Sequence, residues 1–410
     1  MALEMAFPVL ATAMLGYTVL GLDQRRRALG LRTPTQPLVH YPSLSIVRPI
    51  RGLDPGAKEN LAAALDNGYP GEIETLFVFD DEDEPALPLA REALAAHERS
   101  GRAGTGRVLI AGAPQHNRTG KLNAMIAGAS VARGELIGFA DSDIRPDPDT
   151  LRKLVELLLS NPKAGDVFAP VSVSEPAQAL GDVGYALMLN ALYSPQVRLL
   201  SQRRGEVPFI MGQLMIFRRE TLAAIGGLDC AAGQLVDDMH IGQCVAAAGY
   251  KNIMATDPVR IIDWGMSWSE FARTYRRWIA FSRTGLPMSF FLGAAQPYIA
   301  FWLGLLGLGA SLSAGLPLTA ALCGLLILAA GLGVLAMNRA AGGAELPWRY
   351  IYGPFLVLLG GPFILLAQFL WPQVKWRGRT YGLNAHARLA HDAGTPTPSP
   401  SPSLPSRGAK

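Results

Sequence analysis

Residues 135–149 read Glu-Leu-Ile-Gly-Phe-Ala-Asp-Ser-Asp-Ile-Arg-Pro-Asp-Pro-Asp, an apolar run from Leu136 to Ala140 that ends in carboxylates and a proline-broken turn. Asp141 and Asp143 flank a single residue, so in an extended chain they point to the same side. Two hard oxygen ligands on one face could hold a divalent cation whose remaining ligands are phosphates. The competing reading of the pair taken alone is a solvated turn in which one Asp caps the next helix.

Three more polar clusters weigh against that plain turn: Asp80/Asp81/Asp83, Asp237/Asp238 and Arg276/Arg277/Trp278. Each has an ordinary explanation as well. Carboxylates at a helix start are favoured by its dipole, and an Arg- and Trp-rich helix suits a membrane surface. Lys121 follows Gly120 at an expected helix start, where anions are favoured. Carboxylates for a metal, cations for a phosphate group and a spare carboxylate for proton removal together suit transfer from a nucleotide-activated donor.

The elements that must position these groups follow an α/β rhythm from Leu44 to about Asp263. Strands are expected at Leu44 to Val47, Glu74 to Phe79, Val108 to Ala111, Leu136 to Ala140 and Gly165 to Pro170. Between and after them, helices are expected at Asp54 to Leu65, Pro88 to His97, Lys121 to Ala132, Pro148 to Leu159, Arg219 to Ala224 and Met239 to Ala248. Phe209 to Phe217 reads as a buried strand that breaks at Gly212, and Ala177 to Leu200 as a long, weakly polar segment. Ligands bind outside the carboxyl ends of strands in such sheets, which is where the acidic clusters fall.

The chain has 410 residues, of which 17% are charged and 50% hydrophobic, with a net charge of +4. A soluble domain carries about 25% charged residues, so part of the chain belongs in lipid. The small net charge argues against a nucleic-acid surface. Cys230, Cys244 and Cys323 are odd in number and lack metal-ligand spacing, which points to a reduced compartment without a structural disulfide.

Met5 to Leu22 is apolar and is followed by Arg25, Arg26 and Arg27, the order of an uncleaved anchor with its arginine side in the cytosol. Met288 to Ser311, Leu316 to Met337 and Ile351 to Leu370 are each long enough to span. Three full spans would place Lys375, Arg377 and Arg379 outside, against the positive-inside rule. Either one segment lies in the interface or is re-entrant, with Met288 to Ser311 and its central Gln296-Pro297 as the candidate, or the charge rule fails here. The division is a membrane anchor at 1–27, a cytosolic catalytic domain at 40–285, membrane segments at 286–372, and a basic tail at 373–410 that becomes disordered and Pro/Ser-rich from Gly394. A transporter is disfavoured because the spans carry no buried ionisable residues.

In order, the motifs are Ser45 to Asp54, Asn60-Leu61, Tyr69-Pro70, Phe79 to Ala86, Gly120 to Asn123, Asp141-Ser142-Asp143, Gly226-Gly227-Leu228, Asp237-Asp238 and Arg277-Trp278. That succession resembles the membrane-bound inverting glycosyltransferases of families 2 and 21, most closely the ceramide glucosyltransferase-like group with its bacterial hopanoid-associated enzymes. The resemblance implies a GT-A domain, a Rossmann-like nucleotide-diphospho-sugar transferase fold, joined to transmembrane helices. It implies a UDP-sugar donor, a membrane-lipid acceptor and placement in a bacterial inner membrane.

Position by position, the resemblance gives Asp81 or Asp83 the uracil, Asp141 and Asp143 the diphosphate through Mg or Mn, and Asp238 the role of general base. Arg277 and Trp278 would lie beside diphosphate and acceptor, and Lys121 and Arg48 would contact phosphate or uridine. The chain departs from the family pattern in placing Thr274 where the Arg/Trp motif begins, with Arg273 one residue early. It also reads Tyr193-Ser194-Pro195 where a His-Pro pair is expected in the eukaryotic ceramide enzymes. Ceramide glucosylation is the leading expectation, followed by sugar transfer to a hopanoid polyol or another lipid, and then by polysaccharide synthesis.

Overall fold

The computed structural model describes residues 2–115, 117–279, 288–371, 373–384 and 388–389. It opens with helix α1 (Ala2–Gly30) and then forms an alternating domain. Its first half contains β1 (Leu44–Ile50), α2 (Ala57–Leu65), β2 (Ile73–Phe79), α3 (Leu87–Ser100), β3 (Thr105–Ile110), α4 (Gly120–Val131), β4 (Leu136–Ala140), β5 (Ile144–Arg145) and α5 (Thr150–Ser160). The second half adds β6 (Ala164–Phe168), β7 (Val171–Ser172), α6 (Leu180–Leu187), α7 (Ser194–Arg204), β8 (Leu214–Arg218), α8 (Arg219–Ala224), α9 (Asp237–Ala247), β9 (Lys251–Met254), β10 (Val259–Ile261) and α10 (Trp268–Ile279). Helices α11 (Met288–Ser313), α12 (Pro317–Ala340) and α13 (Gly353–Leu370) precede a hairpin of β11 (Gln373–Trp376) and β12 (Arg379–Gly382).

Seven strands make the central sheet in the order β3-β2-β1-β4-β8-β6-β9. β1 runs parallel to β2 and β4, and β8 runs antiparallel to both β4 and β6. Alternation along β2 shows how the sheet is buried on both faces. Leu76 and Val78 enter the main core, whereas Phe77 and Phe79 pack with Leu61, Leu65 and Leu87 from α2 and α3. Strands covered on both sides need near-continuous apolar sequence, which Ile-Glu-Thr-Leu-Phe-Val-Phe supplies. The polar residues thus fall at the carboxyl ends of β1, β2 and β4, along one edge of the domain.

The segment expected to be weakly polar is helical: α6, a π-helical turn at Met188–Tyr193, then α7. Its residues are buried from two directions, by the domain core and by the long apolar helices. Arg198 on α7 donates to the carbonyls of Ala28, Leu31 and Ala255, fixing the end of α1 to the domain.

Among the described residues, three helices are long and apolar enough to cross a membrane, at Leu292–Ser313, Pro317–Ala340 and Trp348–Gln368. α1 packs along α12, with Leu22 against Gly333. Met288 to Ser311, expected to be the irregular segment, is one continuous helix, α11, that includes Pro297. α13 is the unusual one. Just before it, Arg349 and Tyr350 donate to the carbonyl of Gln178, and just after it Arg276 donates to the carbonyl of Gln373 at 2.8 Å. Both flanks of α13 are therefore bonded to the same catalytic domain.

The basic part of the tail forms the β11–β12 hairpin; the Pro/Ser-rich stretch from Gly394 lies outside the described residues.

Candidate active site

Loops at the carboxyl ends of β1, β2 and β4 form an acidic wall. The Asp141–Asp143 loop is pinned through its backbone: Asp141 N donates to Gln213 O at 2.9 Å, and Ile262 N to Asp143 O at 2.7 Å. Asn60 donates to the carbonyl of Ser142 at 3.3 Å, and Ser142 Oγ donates to Asp54. This leaves the two Asp carboxylates for other partners. Asp143 Oδ1 is buried and accepts no hydrogen bond, and burial followed by repulsion from Asp141 and Asp54 pushes its carboxyl up to about 7.

A buried oxygen lacking a donor beside a second carboxylate fits a divalent cation. Among the described residues no group of three or more His, Cys, Asp or Glu converges, so such an ion would draw its remaining ligands from phosphate oxygens and water, the usual habit of Mg.

Lys121, in the first turn of α4, links the acidic wall to the next group. Its Nζ lies 2.6 Å from Asp141 Oδ1 and donates to Gly212 O at 3.0 Å. Burial alone would lower its proton affinity, but Asp141, Asp237 and Asp238 outweigh that, and it is held as a cation. Asp238 opens α9, accepting from Gly212 N at 2.7 Å and Met239 N at 2.8 Å. The strand starts only at Leu214 because Gly212 turns its backbone onto this carboxylate, and a Cβ there would lie 2.6 Å from that of Asp238. Burial, then Asp237, pushes Asp238 up to about 6. Its neighbour Asp237 is occupied otherwise, accepting from Thr119 Oγ1 at 3.2 Å and from Asp238 N at 2.9 Å.

The opposite wall is basic. α10 contributes Arg273, Thr274 and Arg277, and the hairpin contributes Lys375, Trp376, Arg377 and Arg379. The Arg277 guanidinium sits 4.9 Å from the centroid of Trp376, a cation–π contact. Trp278 meets Tyr193 edge to face at 5.6 Å, so the tyrosine at the expected His-Pro position supports the Arg/Trp motif from behind. Arg379 pairs with Asp80 at 2.8 Å, and Arg377 pairs with Asp54. The walls enclose a cavity of about 340 Å³, adjoined by one of about 120 Å³ that is bordered by Asp238. Lys121, Asp141, Gln213, Arg277, Trp278 and Trp376 border both.

Six of the residues singled out in the sequence therefore meet around the two adjoining cavities: Lys121, Asp141, Arg277 and Trp278 at both, Asp143 at the larger and Asp238 at the smaller. Arg48 stands elsewhere. It is 1% exposed and donates to the carbonyls of Ser142 and Ile144, bracing the acidic loop from beneath. Asp81 and Asp83 border a neighbouring depression with Glu84, whereas Asp80 faces the main cavity. Thr274 and Arg273 both line the cavity, so the shift in the motif leaves each within reach of it. Sequence reasoning missed Asp54 and the hairpin cations. The signal available for the latter was Lys375 to Arg379 with Trp376 and a Gly378 turn.

The family model for glycosyl transferase family 21 matches residues 6–389. The chain belongs to that family. Its mixed sheet and acidic strand ends are the GT-A architecture, carried together with membrane-type helices. Among curated relatives, ceramide glucosyltransferase 1 of Caenorhabditis elegans is 22% identical over 249 residues, covering 61% of this chain and 52% of the relative. Ceramide glucosyltransferase 3 of the same organism is 22% identical over 354 residues, covering 83% and 73%. This chain thus spans about half the length of the first relative and nearly three quarters of the second. A solved structure, mannosyltransferase PcManGT from Pyrobaculum calidifontis in complex with GDP-Man and Mn2+, is similar at 20% identity with a TM-score of 0.47, covering 90% of this chain and 98% of that one.

Proposed function

We propose that this glycosyltransferase moves a sugar, glucose in the leading reading, from a UDP-sugar to a hydroxyl of a membrane lipid, with inversion. The observation that carries the reading is the meeting of Asp238 with Lys121 and Asp141 at the junction of the two cavities. Asp238, poised near 6, takes the proton of the attacking hydroxyl in a single displacement. Asp141 and Asp143 hold Mg or Mn, which when bound supplies charge neutralisation to the leaving diphosphate. Lys121 orients Asp141, and Arg277, braced on Trp376, faces the developing negative charge.

A lipid acceptor is favoured by a groove of about 710 Å³ between α10 and α13. Ile364, Ala367 and Trp371 give it an apolar side, and Arg273 and Lys375 border both this groove and the catalytic cavity. The membrane arrangement follows from α13. A chain whose catalytic domain and C-terminal hairpin share one site crosses the bilayer an even number of times between them. α11 and α12 make that pair of crossings, α1 is a separate anchor, and α13 lies against the domain. The Arg25–Arg27 cluster and the hairpin cations then fall on the same side as the domain, the cytosolic side by the charge rule. Ceramide-like lipids head the acceptors, with hopanoid polyols next. Incubating the purified protein in bilayers with a panel of UDP-sugars and lipid extracts should yield a singly glycosylated lipid by mass spectrometry. Free sugar or polymer as the sole product would overturn the reading.

A further inference from the structure

The turn of the C-terminal hairpin holds the one positive-φ residue other than glycine among the described residues: Arg377, at φ 49°, followed by Gly378 at φ 76°. A two-residue hairpin turn with both central residues left-handed is served best by Asn-Gly or Gly-Gly. An arginine there costs backbone strain, so what its side chain reaches matters.

It reaches Asp54 beside the acidic loop. Arg377 is ion-paired with Asp54, which in turn accepts from Ser142 Oγ, the residue between Asp141 and Asp143. The turn is locked to the loop after β1 by reciprocal bonds, Arg51 Nε to Arg377 O at 3.0 Å and Arg377 Nη1 to Arg51 O at 3.2 Å. The charge of Arg377 also acts on Asp143 and Asp141. Resting on the metal-and-diphosphate reading of that pair, we propose that Arg377, acting through Asp54, and a divalent cation held by Asp141 and Asp143 are alternative counter-charges of this acidic loop, and that when the cation is bound Arg377 turns to the diphosphate of the donor. Two cations on one set of carboxylates repel each other. A guanidinium fork fits carboxylate and phosphate equally well, so the same side chain can serve either partner.

Arg377→Asn removes the charge while placing in the turn a residue suited to it. Mn2+ binding to the purified full-length protein without donor is read by electron paramagnetic resonance, alongside Arg377→Lys and Asp143→Asn. Arg377→Asn should bind Mn2+ about ten- to a hundredfold more tightly, the scale on which a neighbouring charge alters proton affinity. Its affinity for UDP with Mn2+ should fall. Arg377→Lys should keep wild-type Mn2+ affinity but lose UDP affinity along with the fork. Unchanged Mn2+ affinity in Arg377→Asn, with Asp143→Asn abolishing binding, overturns the competition and leaves the metal reading standing. Absence of Mn2+ binding in every protein, with UDP present, overturns both.

Discussion

The acidic wall of the cavity is carried on loops at the ends of β1, β2 and β4, whereas the basic wall hangs from α10 and from a hairpin that the chain reaches only after α11, α12 and α13. The two walls are held differently. Backbone bonds with Gln213 and Ile262, and the Asn60 side-chain amide donating to the carbonyl of Ser142, fix the Asp141–Asp143 loop to its own domain. The basic wall is held largely by side chains: Arg277 on Trp376, Arg276 on Gln373, Arg379 on Asp80. A wall fixed by backbone suits groups whose geometry must not vary, such as metal ligands and a base. A wall fixed by exchangeable ion pairs suits groups that must adapt to a charged ligand arriving and leaving.

If that division is right, damage to the acidic wall should reduce turnover and damage to the basic wall should mainly weaken donor binding. Asp238→Asn should lower the rate by roughly 10²–10⁴-fold, the usual contribution of general-base catalysis, with UDP affinity by calorimetry nearly unchanged. Asp143→Asn should cost about 10²–10³-fold, the scale of one preorganised electrostatic contact at a transition state, and should abolish Mn2+ binding. Because burial and repulsion raise the Asp143 carboxyl, the folded state favours its protonated form. Stability from this group is thus lost as pH rises from about 4 through about 7. The amide should therefore melt at a higher temperature than wild type at neutral pH when both are free of metal.

The pH profile gives a smaller effect. Asp238 must be unprotonated to act, so the rate at saturating donor should fall about tenfold per unit below roughly pH 6, and loss of that limb in a slow but active Asp238→Asn would confirm its origin. Trp376→Ala should raise the KM for donor only a few-fold, since a partly solvated cation–π contact contributes about 0.5–2 kcal/mol. A fall in kcat of the same size as that of Asp143→Asn would erase the distinction between the walls.

The same contrast explains what could be read in the sequence. β1, β2 and β4 are buried on both faces, so each announces itself as an apolar run, and the carboxylates that end those runs could be placed at strand ends before any coordinates. The break at Gly212 before β8 was legible too, but not its reason, a backbone bond to Asp238 across a gap of 26 residues. The resemblance pointed to Arg48 as a ligand contact, and only its burial reveals its partners in the carbonyls of the acidic loop. Least legible was the hairpin. Its strands have four residues each, and its bonds to Arg51 and its ion pair with Asp54 span 326 and 323 residues, beyond any local pattern. α13 reads as a span by composition, and the bonds that tie both its flanks to the α/β domain have no signal in the sequence.

The late position of the hairpin also sets an order of assembly. The acidic loops belong to the first half of the catalytic domain, but the cations facing them are synthesised after the two crossing helices and α13. A nascent chain could thus fold its sheet and expose the Asp54, Asp80 and Asp141–Asp143 carboxylates well before their counter-charges emerge. On the proposed topology, closure of the cavity would then depend on membrane insertion: a chain whose helices inserted with the wrong parity would carry Arg377 and Arg379 to the far side of the bilayer and leave the acidic wall open and uncompensated.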